Sequence, residues 1–360
     1  MAYTTINKPT DYFNTVLYTG NTTAPRTITG VGFQPDWNWT KNRSATLDHW
    51  IADSVKGINS IIRSNQNSTN LTNPSSGYIS AVNGDGYVIS EGSSTDDNYN
   101  TNSQNYVSWN WKAGTTGSGT TTGSGYGKAY SYSVSTTAGF SIVKYIGNGT
   151  AGHTIPHHLG ATPGLIMLKN LDHTEDWLVY HHKNTDAPET DYLVLNSTNA
   201  TGDSAGVWND TAPTSSVFTV GTAASTNGSD DNLIAYCFAE KTGYSKFGQY
   251  TANAAVDGNF IYTGFKPAFV LIKSSNSAQA GQDWFIYDSV RDPGNAATQT
   301  LQPNTTSAEE TNVAPIDILS NGFKLRTNTG RINGTNGEYI YMAFAEAPLV
   351  GSNNVPCTAR

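Results

Sequence analysis

The sequence predicts an all-β protein built from three tandem antiparallel β-sandwiches of jelly-roll type. Three observations carry that expectation. Charged residues make up only 13% of the chain and aromatics 11%, with 35 glycines among 360 residues, a balance that suits short strands joined by Gly/Asn/Ser turns rather than helices. Apolar residues alternate with period two in the segments between turns. Finally, NYVSWNWKAG (105–114), NLIAYCFAEK (232–241) and EYIYMAFAEA (338–347) are versions of one strand written three times.

Those three strands anchor a longer repeat. Tyr18-Thr-Gly-Asn21 corresponds to Tyr145-Ile-Gly-Asn148 and Tyr250-Thr-Ala-Asn253. Pro35, Pro163 and Pro267 follow, and six residues beyond each stands Lys41, Lys169 or Lys273. Next come Trp50, Trp177 and Trp284, then Asp53-Ser-Val-Lys56, Tyr180-His-His-Lys183 and Asp288-Ser-Val-Arg291, then Asn65, Asn196 and Asn304. From each proline to the closing aromatic (Trp111, Phe238, Phe344) the spacing is 76, 75 and 77 residues. Ala2-Tyr3, Phe13 and Tyr18 share their spacing with Ala129-Tyr130, Phe140 and Tyr145; the third repeat lacks this opening. GTTGSGTTTGSGYG (114–127) has the composition of a flexible linker. The domains are therefore 1–113, 128–243 and 244–360.

Alternation also assigns faces. Val107, Trp109 and Trp111, with Ile234, Tyr236, Phe238 and Ile340, Met342, Phe344, are always large, so this face is expected to form the core. The opposite face, with Tyr106, Leu233, Ala235, Tyr339 and Tyr341, varies and is expected to meet solvent, ligand or a neighbouring subunit. Lys169 with Glu240, and Lys273 with Glu346, end core-side faces and are expected to pair; the first repeat has Ala113 in place of the acid.

At the level of whole motifs the chain resembles a family of repeat-bearing virion-associated proteins of marine bacteriophages, of the kind found among cyanophage and pelagiphage structural proteins. The resemblance rests on YTTINKPTDYFNTVLYTGN, ITGVGFQPDWNWTKNR and DSVKG at one end, and on GFKLRT, EYIYMAFAEAPL and VPCTAR at the other. HTIPHHLGATPG in the second repeat departs from it. The resemblance implies an external structural protein, on the capsid as decoration or on the tail as an appendage, with other virion proteins as partners. It carries no catalytic residues. A homo-oligomer is expected, a trimer being one form. No heptad shaft of a long fibre is present, and the tail from Gly351 to Arg360 reads as an arm toward a neighbour or a frayed end.

Other function classes find little support. Net charge is −8 with no basic run, which argues against nucleic acid. No apolar run approaches a membrane span, and the opening MAYTTINKPTDYF lacks the basic and apolar parts of a secretion signal. The two cysteines, Cys237 and Cys357, are too few for a disulfide framework, and the many Asn-x-Ser/Thr triplets read as a product of composition. Gly147-Asn-Gly149-Thr-Ala-Gly152 matches a dinucleotide fingerprint, but needs a helix after it. Six of the seven histidines lie in the second repeat. Of these His157, His158, His181 and His182 are metal candidates, weakened because adjacent residues on extended chain point to opposite sides. The turns at Asn83–Gly86, Asp96–Asn98 and Asp230–Asn232 offer oxygen ligands without a full calcium-loop pattern. No metal or cofactor is expected, and no catalytic constellation is recognisable. Tyr106, Tyr130, Tyr132, Tyr339 and Tyr341 are the candidate contacts for a host glycan or a subunit. An adhesin for host polysaccharide is thus the alternative function, with a polysaccharide-cleaving enzyme more remote.

Overall fold

Pairing of the three closing strands obeys one rule. Asn105–Trp111 lies between Phe13–Thr19 and Trp37–Asn42; Asn232–Phe238 lies between Phe140–Ile146 and Leu165–Asn170; Glu338–Pro348 lies between Ser245–Thr251 and Phe265–Ser274. All pairs are antiparallel, and the register repeats: Trp37 faces Trp111, Leu165 faces Phe238, and Phe269 faces Phe344. A fourth strand continues each sheet, at His49–Asp53, Leu178–His181 and Phe285–Asp288. The structure, a computed structural model, describes residues 3–92, 98–279 and 281–350. Among them the only α-helical segments are Ala205–Trp208 and Ala224–Asn227, so the chain is all-β.

Each repeat also has a second antiparallel sheet, ordered Arg26–Ile28, Gly86–Ser90, Tyr78–Asn83 in the first repeat. The second orders Thr122–Gly123, His153–Pro156, Val217–Val220, and the third orders Phe260–Tyr262, Gly322–Leu325, Glu310–Leu319, Ala297–Thr300. The two sheets of a repeat enclose a core of their own. Trp50, Ile61, Tyr87 and Tyr99 fill the first; Tyr145, Leu168, Trp208 and Phe218 the second; Tyr287, Ile316, Phe323 and Tyr341 the third.

The large-residue faces do something else. Trp37, Trp39, Trp109 and Trp111 join Leu165, Met167, Tyr236 and Phe238, and Phe269, Leu271, Met342 and Phe344, in a single core shared by all three repeats. Trp111 meets Phe344 edge-on at 5.6 Å, Phe238 meets Phe344 at 5.9 Å, and Trp37 stacks on Tyr236 at 4.8 Å between ring centroids. Both faces of every main sheet are therefore buried. This corrects the expected roles: Tyr106, Tyr339 and Tyr341 face the cores inside the repeats and are 0%, 0% and 3% exposed. The variable face is smaller because it packs against a second sheet of the same repeat, whereas the invariantly large face must reach two other repeats.

The expected linker is not one. Thr115–Thr120 pairs with Ala129–Ser135, which pairs in turn with the opening strand Phe140–Ile146. Gly117 and Gly119 lie under the rings of Tyr132 and Tyr130; a Cβ there would stand 2.6 and 2.8 Å from them. The glycines serve close packing, which composition cannot tell from flexibility. Tyr3 has no such strand around it. Its hydroxyl donates to the Gly264 carbonyl in the third repeat at 2.7 Å, so the shared spacing of Tyr3 and Tyr130 marks different structures.

Candidate functional site

Polar contacts between the repeats run cyclically around the shared core. Asp48, Asp176 and Asp283 accept from the amides of Asn65, Asn196 and Asn304 at 2.7, 2.8 and 2.7 Å. The same asparagines accept the backbone N–H of His49, Trp177 and Trp284 at 2.9–3.0 Å. His49, not Trp50, is thus the partner of the two tryptophans. A one-residue slip turns a strand residue to the other face, and Trp50 packs inside its own repeat. Each of the three rings reaches another repeat. Trp177 donates to the Arg63 carbonyl at 2.9 Å and Trp284 to the Val194 carbonyl at 3.0 Å. The His49 ring turns to the Gln302 carbonyl without full hydrogen-bond geometry.

A second cycle joins the same repeats. Tyr236 donates to Asp53 at 2.7 Å and Trp109 to Asp288 at 3.0 Å. The third position has Met342, which has no donor, and opposite it the acid is replaced by His181. That imidazole donates from Nε2 to the Tyr341 carbonyl at 3.2 Å while Nδ1 accepts the Lys183 amide at 3.1 Å. Burial holds His181 down to about 3, so it is neutral, as this pair of bonds requires. The register aligns His181, rather than Tyr180, with Asp53 and Asp288. A backbone cycle closes the set: Asn70 donates to Leu171, Thr201 to Ser275, and Glu309 to Arg43 at 2.9–3.0 Å. The Glu309 carboxylate also clamps Arg43 and Arg291, with contacts of 2.8 and 2.9 Å.

Lys41, Lys169 and Lys273 are fully buried and do not pair with the expected acids. Antiparallel pairing places Lys169 opposite Ile234, at the far end of the sheet from Glu240. Their ammonium groups donate to backbone carbonyls instead. Lys41 reaches Leu47 at 2.6 Å and, across a repeat boundary, Thr306 at 3.0 Å; Lys273 reaches Gln282 at 2.9 Å and Thr198 at 3.2 Å; Lys169 reaches Asn170 at 2.6 Å. Glu240 pairs with Lys246, and Glu346 with Lys266.

A third triplicated feature escaped sequence reasoning. Asn21, Asn148 and Asn253 donate backbone N–H to the side chains of Asn100, Asn227 and Asn333 at 2.9–3.0 Å. The latter return their amides to the side chains of the former. Each buried asparagine stands seven residues before Val107, Ile234 or Ile340, a signal available in the repeat. Asn21, Asn148, Asn196 and Asn304, the asparagines of Asn-x-Ser/Thr triplets, serve in these clasps and ring supports.

The remaining candidates disperse. His157 is buried, held to about 4 by burial, and donates to the Thr214 carbonyl at 3.2 Å. His158 stacks on Tyr132 at 3.8 Å between centroids and shares a 3.0 Å hydrogen bond with Tyr130. His182 donates to the Phe247 carbonyl at 2.7 Å. No group of three or more metal-ligating side chains forms among the described residues. Tyr130 and Tyr132 are half-buried over their glycines. Asp85 accepts the amides of Gly30 and Gly32, and Asp230 pairs with Lys128 at 2.5 Å; Asp96 lies outside the described residues, as do Cys357 and the tail 351–360. Gly147–Gly152 is followed by the strand His153–Pro156, which removes the dinucleotide reading. Cys237 is buried, and its thiol is pushed up by burial.

Several openings lie on the surface, two of them beside the opening segment of the chain. Tyr3 and Tyr262, 36% and 54% exposed, flank a cleft of about 350 Å³ with Glu240 and Lys246. A groove of about 400 Å³ runs between Phe13–Thr15 and the third repeat's Ser289, Val290 and Glu346.

A family profile described as "Domain of unknown function (DUF7483)" matches residues 8–348. No curated protein and no solved structure matches the chain.

Proposed function

With the chain belonging to the DUF7483 family as the premise, we propose that it is a non-enzymatic external structural protein of a bacteriophage particle, acting by protein–protein packing on capsid or tail. The single observation that carries this reading is the aromatic core common to the three repeats. The family profile spans all three repeats as one unit, in keeping with modules that have no separate existence. In the reading proposed here each repeat is a jelly-roll-like sandwich, and the three form a rigid block with pseudo-threefold symmetry. Buried asparagines, lysines and acids form the clasps and rings that join and brace the repeats. Such a block suits a site on a particle surface, either singly or as an oligomer. Labelling of purified particles with antibody to this chain, with copy number from quantitative mass spectrometry, tests it. Many equivalent positions on the shell support decoration, a few at one vertex support a tail appendage, and absence from particles overturns the proposal.

A second reading, an adhesin for host polysaccharide, is favoured by the cleft at Tyr3 and Tyr262. Exposed phenol rings beside a carboxylate and an ammonium group offer stacking and hydrogen bonds to a sugar. The residues would then be these, and not the buried tyrosines. A glycan array probed with wild type and Tyr262→Ala decides: binding lost in the variant supports it, and no binding to any glycan removes it.

A further inference from the structure

The junction between the second and third repeats holds a cavity of about 240 Å³, lined from one side by Asn184, Thr185 and Asp186 and from the other by Gln249, Tyr250 and Glu338, among others. In the second repeat the equivalent place is filled. Register makes Gln249, Tyr250 and Glu338 the counterparts of Lys144, Tyr145 and Asn232. Lys144 and Tyr145 lie against Ser131 and Tyr130 of the covering strand Ala129–Ser135. The third repeat has no such strand, because Ser245–Thr251 follows the closing strand of the second repeat almost directly.

Much of the cavity wall is polar and uncommitted. Asp186, Gln249 and Glu338 are exposed, and their side chains make no hydrogen bond or ion pair among the described residues. Asn184 is 5% exposed. Its Oδ1 accepts the Thr201 hydroxyl at 2.8 Å, while Nδ2 has no partner. Thr201 Oγ1 also stands 2.8 Å from the Ser275 carbonyl, and its one proton serves one of the two oxygens. If the amide is turned, Nδ2 donates to Thr201 and Oδ1 becomes the atom left over. A buried polar atom without a partner is costly. A hydroxyl gives and takes hydrogen bonds, so it satisfies the amide in either orientation, and it also supplies the donors that carboxylates require. A metal ion fits less well, since no group of three or more metal-ligating side chains forms among the described residues. The volume is well beyond the roughly 10–15 Å³ that one bridging water needs, and it suits a small ring carrying several hydroxyls.

We propose that this cavity binds one neutral sugar ring, with hydroxyls donating to Asp186 and Glu338 and another meeting the Asn184 amide. Tyr250, half-buried and stacked on Tyr339 at 5.1 Å between centroids, supplies an aromatic wall. The two carboxylates repel an acidic sugar, so uronic acids are excluded. The site shares no residue with the cleft at Tyr3 and Tyr262 and does not rest on the adhesin reading of that cleft.

Saturation-transfer-difference NMR on the full chain tests it, with millimolar glucose, galactose, mannose and N-acetylglucosamine in turn and with glucuronic acid and glycerol as comparison probes. At least one of the four sugars is expected to bind saturably, and neither comparison probe is. Asp186→Ala and Glu338→Ala are each expected to weaken binding at least roughly tenfold, as for one lost hydrogen bond to a charged group. Unchanged near-ultraviolet circular dichroism checks the fold of each variant. Tyr262→Ala is expected to leave the affinity unchanged. Failure of all four sugars to bind overturns the proposal. So does glucuronic acid or glycerol binding as tightly as the best of them, or binding that survives both alanine changes together. Binding abolished by Tyr262→Ala places the sugar in the other cleft, which overturns this proposal and supports the adhesin reading. A glycan array without hits, beside free hexose still bound in a manner sensitive to Glu338→Ala, removes the adhesin reading and leaves this site standing.

Discussion

The phenol of Tyr236 in the second repeat donates a 2.7 Å hydrogen bond to the Asp53 carboxylate of the first, with both groups buried. Asp53 is already held by Lys56 at 2.9 Å and by the amides of Val55 and Lys56, so the tyrosine completes the shell of a buried charge. Tyr236→Phe removes only the hydroxyl, and a hydrogen bond to a charged group contributes about 1.5–3 kcal/mol. A loss in that range is expected in denaturant titrations. A change under about 0.5 kcal/mol, the usual size for a surface substitution, would show that the repeats do not depend on this bond.

Stability should rise with pH above neutrality because of the buried lysines. Burial lowers Lys41 to about 7 and Lys169 and Lys273 to about 8, against an unfolded value near 10.4. Between those limits the unfolded chain binds more protons than the folded one, so the unfolding free energy increases with pH. Their contribution is fully present above the unfolded value and is lost as pH falls toward 7. Buried tyrosines such as Tyr236 are raised by burial, and they act in the opposite sense above about pH 10. Urea midpoints from pH 7 to 9.5 are expected to climb in wild type and to climb less in Lys41→Met. Parallel curves for the two proteins would refute this assignment.

The fold was legible because register preserves size. Trp111, Phe238 and Phe344 share a position in the sequence repeat and touch in the molecule. What was not legible was which neighbour each face meets. Period two reports that a face is buried, and Tyr339 and Phe344 both satisfied it, but alternation carries no record of whether the partner is a second sheet or another repeat. Lys169 and Glu240 do not pair because their strands run antiparallel, which sets the two residues at opposite ends of the sheet. Trp50 shares its residue type with Trp177 and Trp284, but the backbone hydrogen bond to the supporting asparagine falls on His49, whose ring lies at the junction. The acid-to-histidine exchange at His181 follows from Met342 in a different repeat, which no local pattern contains.

The asparagine clasps should be equally costly to break in every repeat. Asn227 donates to the Gly221 carbonyl at 2.7 Å and the Thr150 carbonyl at 3.0 Å while accepting the Asn148 amide at 2.9 Å. Asn333 makes the matching set to Thr327, Ala255 and Asn253. Alanine at either position strands buried polar groups, at about 1–3 kcal/mol each. Calorimetry of Asn227→Ala and Asn333→Ala is expected to show similar drops in Tm. A neutral result at one site would mean that the clasp there is not under load.

The shared core predicts a single cooperative unfolding transition rather than three. Phe344 contacts rings from all three repeats, meeting Phe13 and Trp111, Phe238, and Phe269 at 5.4–6.4 Å between centroids. Phe344→Ala should therefore lower the whole transition, by about 3–5 kcal/mol for a large aromatic removed from a packed core. It should not split off the third repeat. Residues 128–243 expressed alone would expose Phe140, Leu165, Met167, Tyr236 and Phe238, all buried in the full chain. An apolar face of that kind on an isolated sandwich leads to association, and the fragment is expected to aggregate or to lack a sharp melting transition. Scanning calorimetry checks both expectations. A folded, monomeric fragment, or well-separated transitions in the intact chain, would mean that each repeat carries enough core to stand alone.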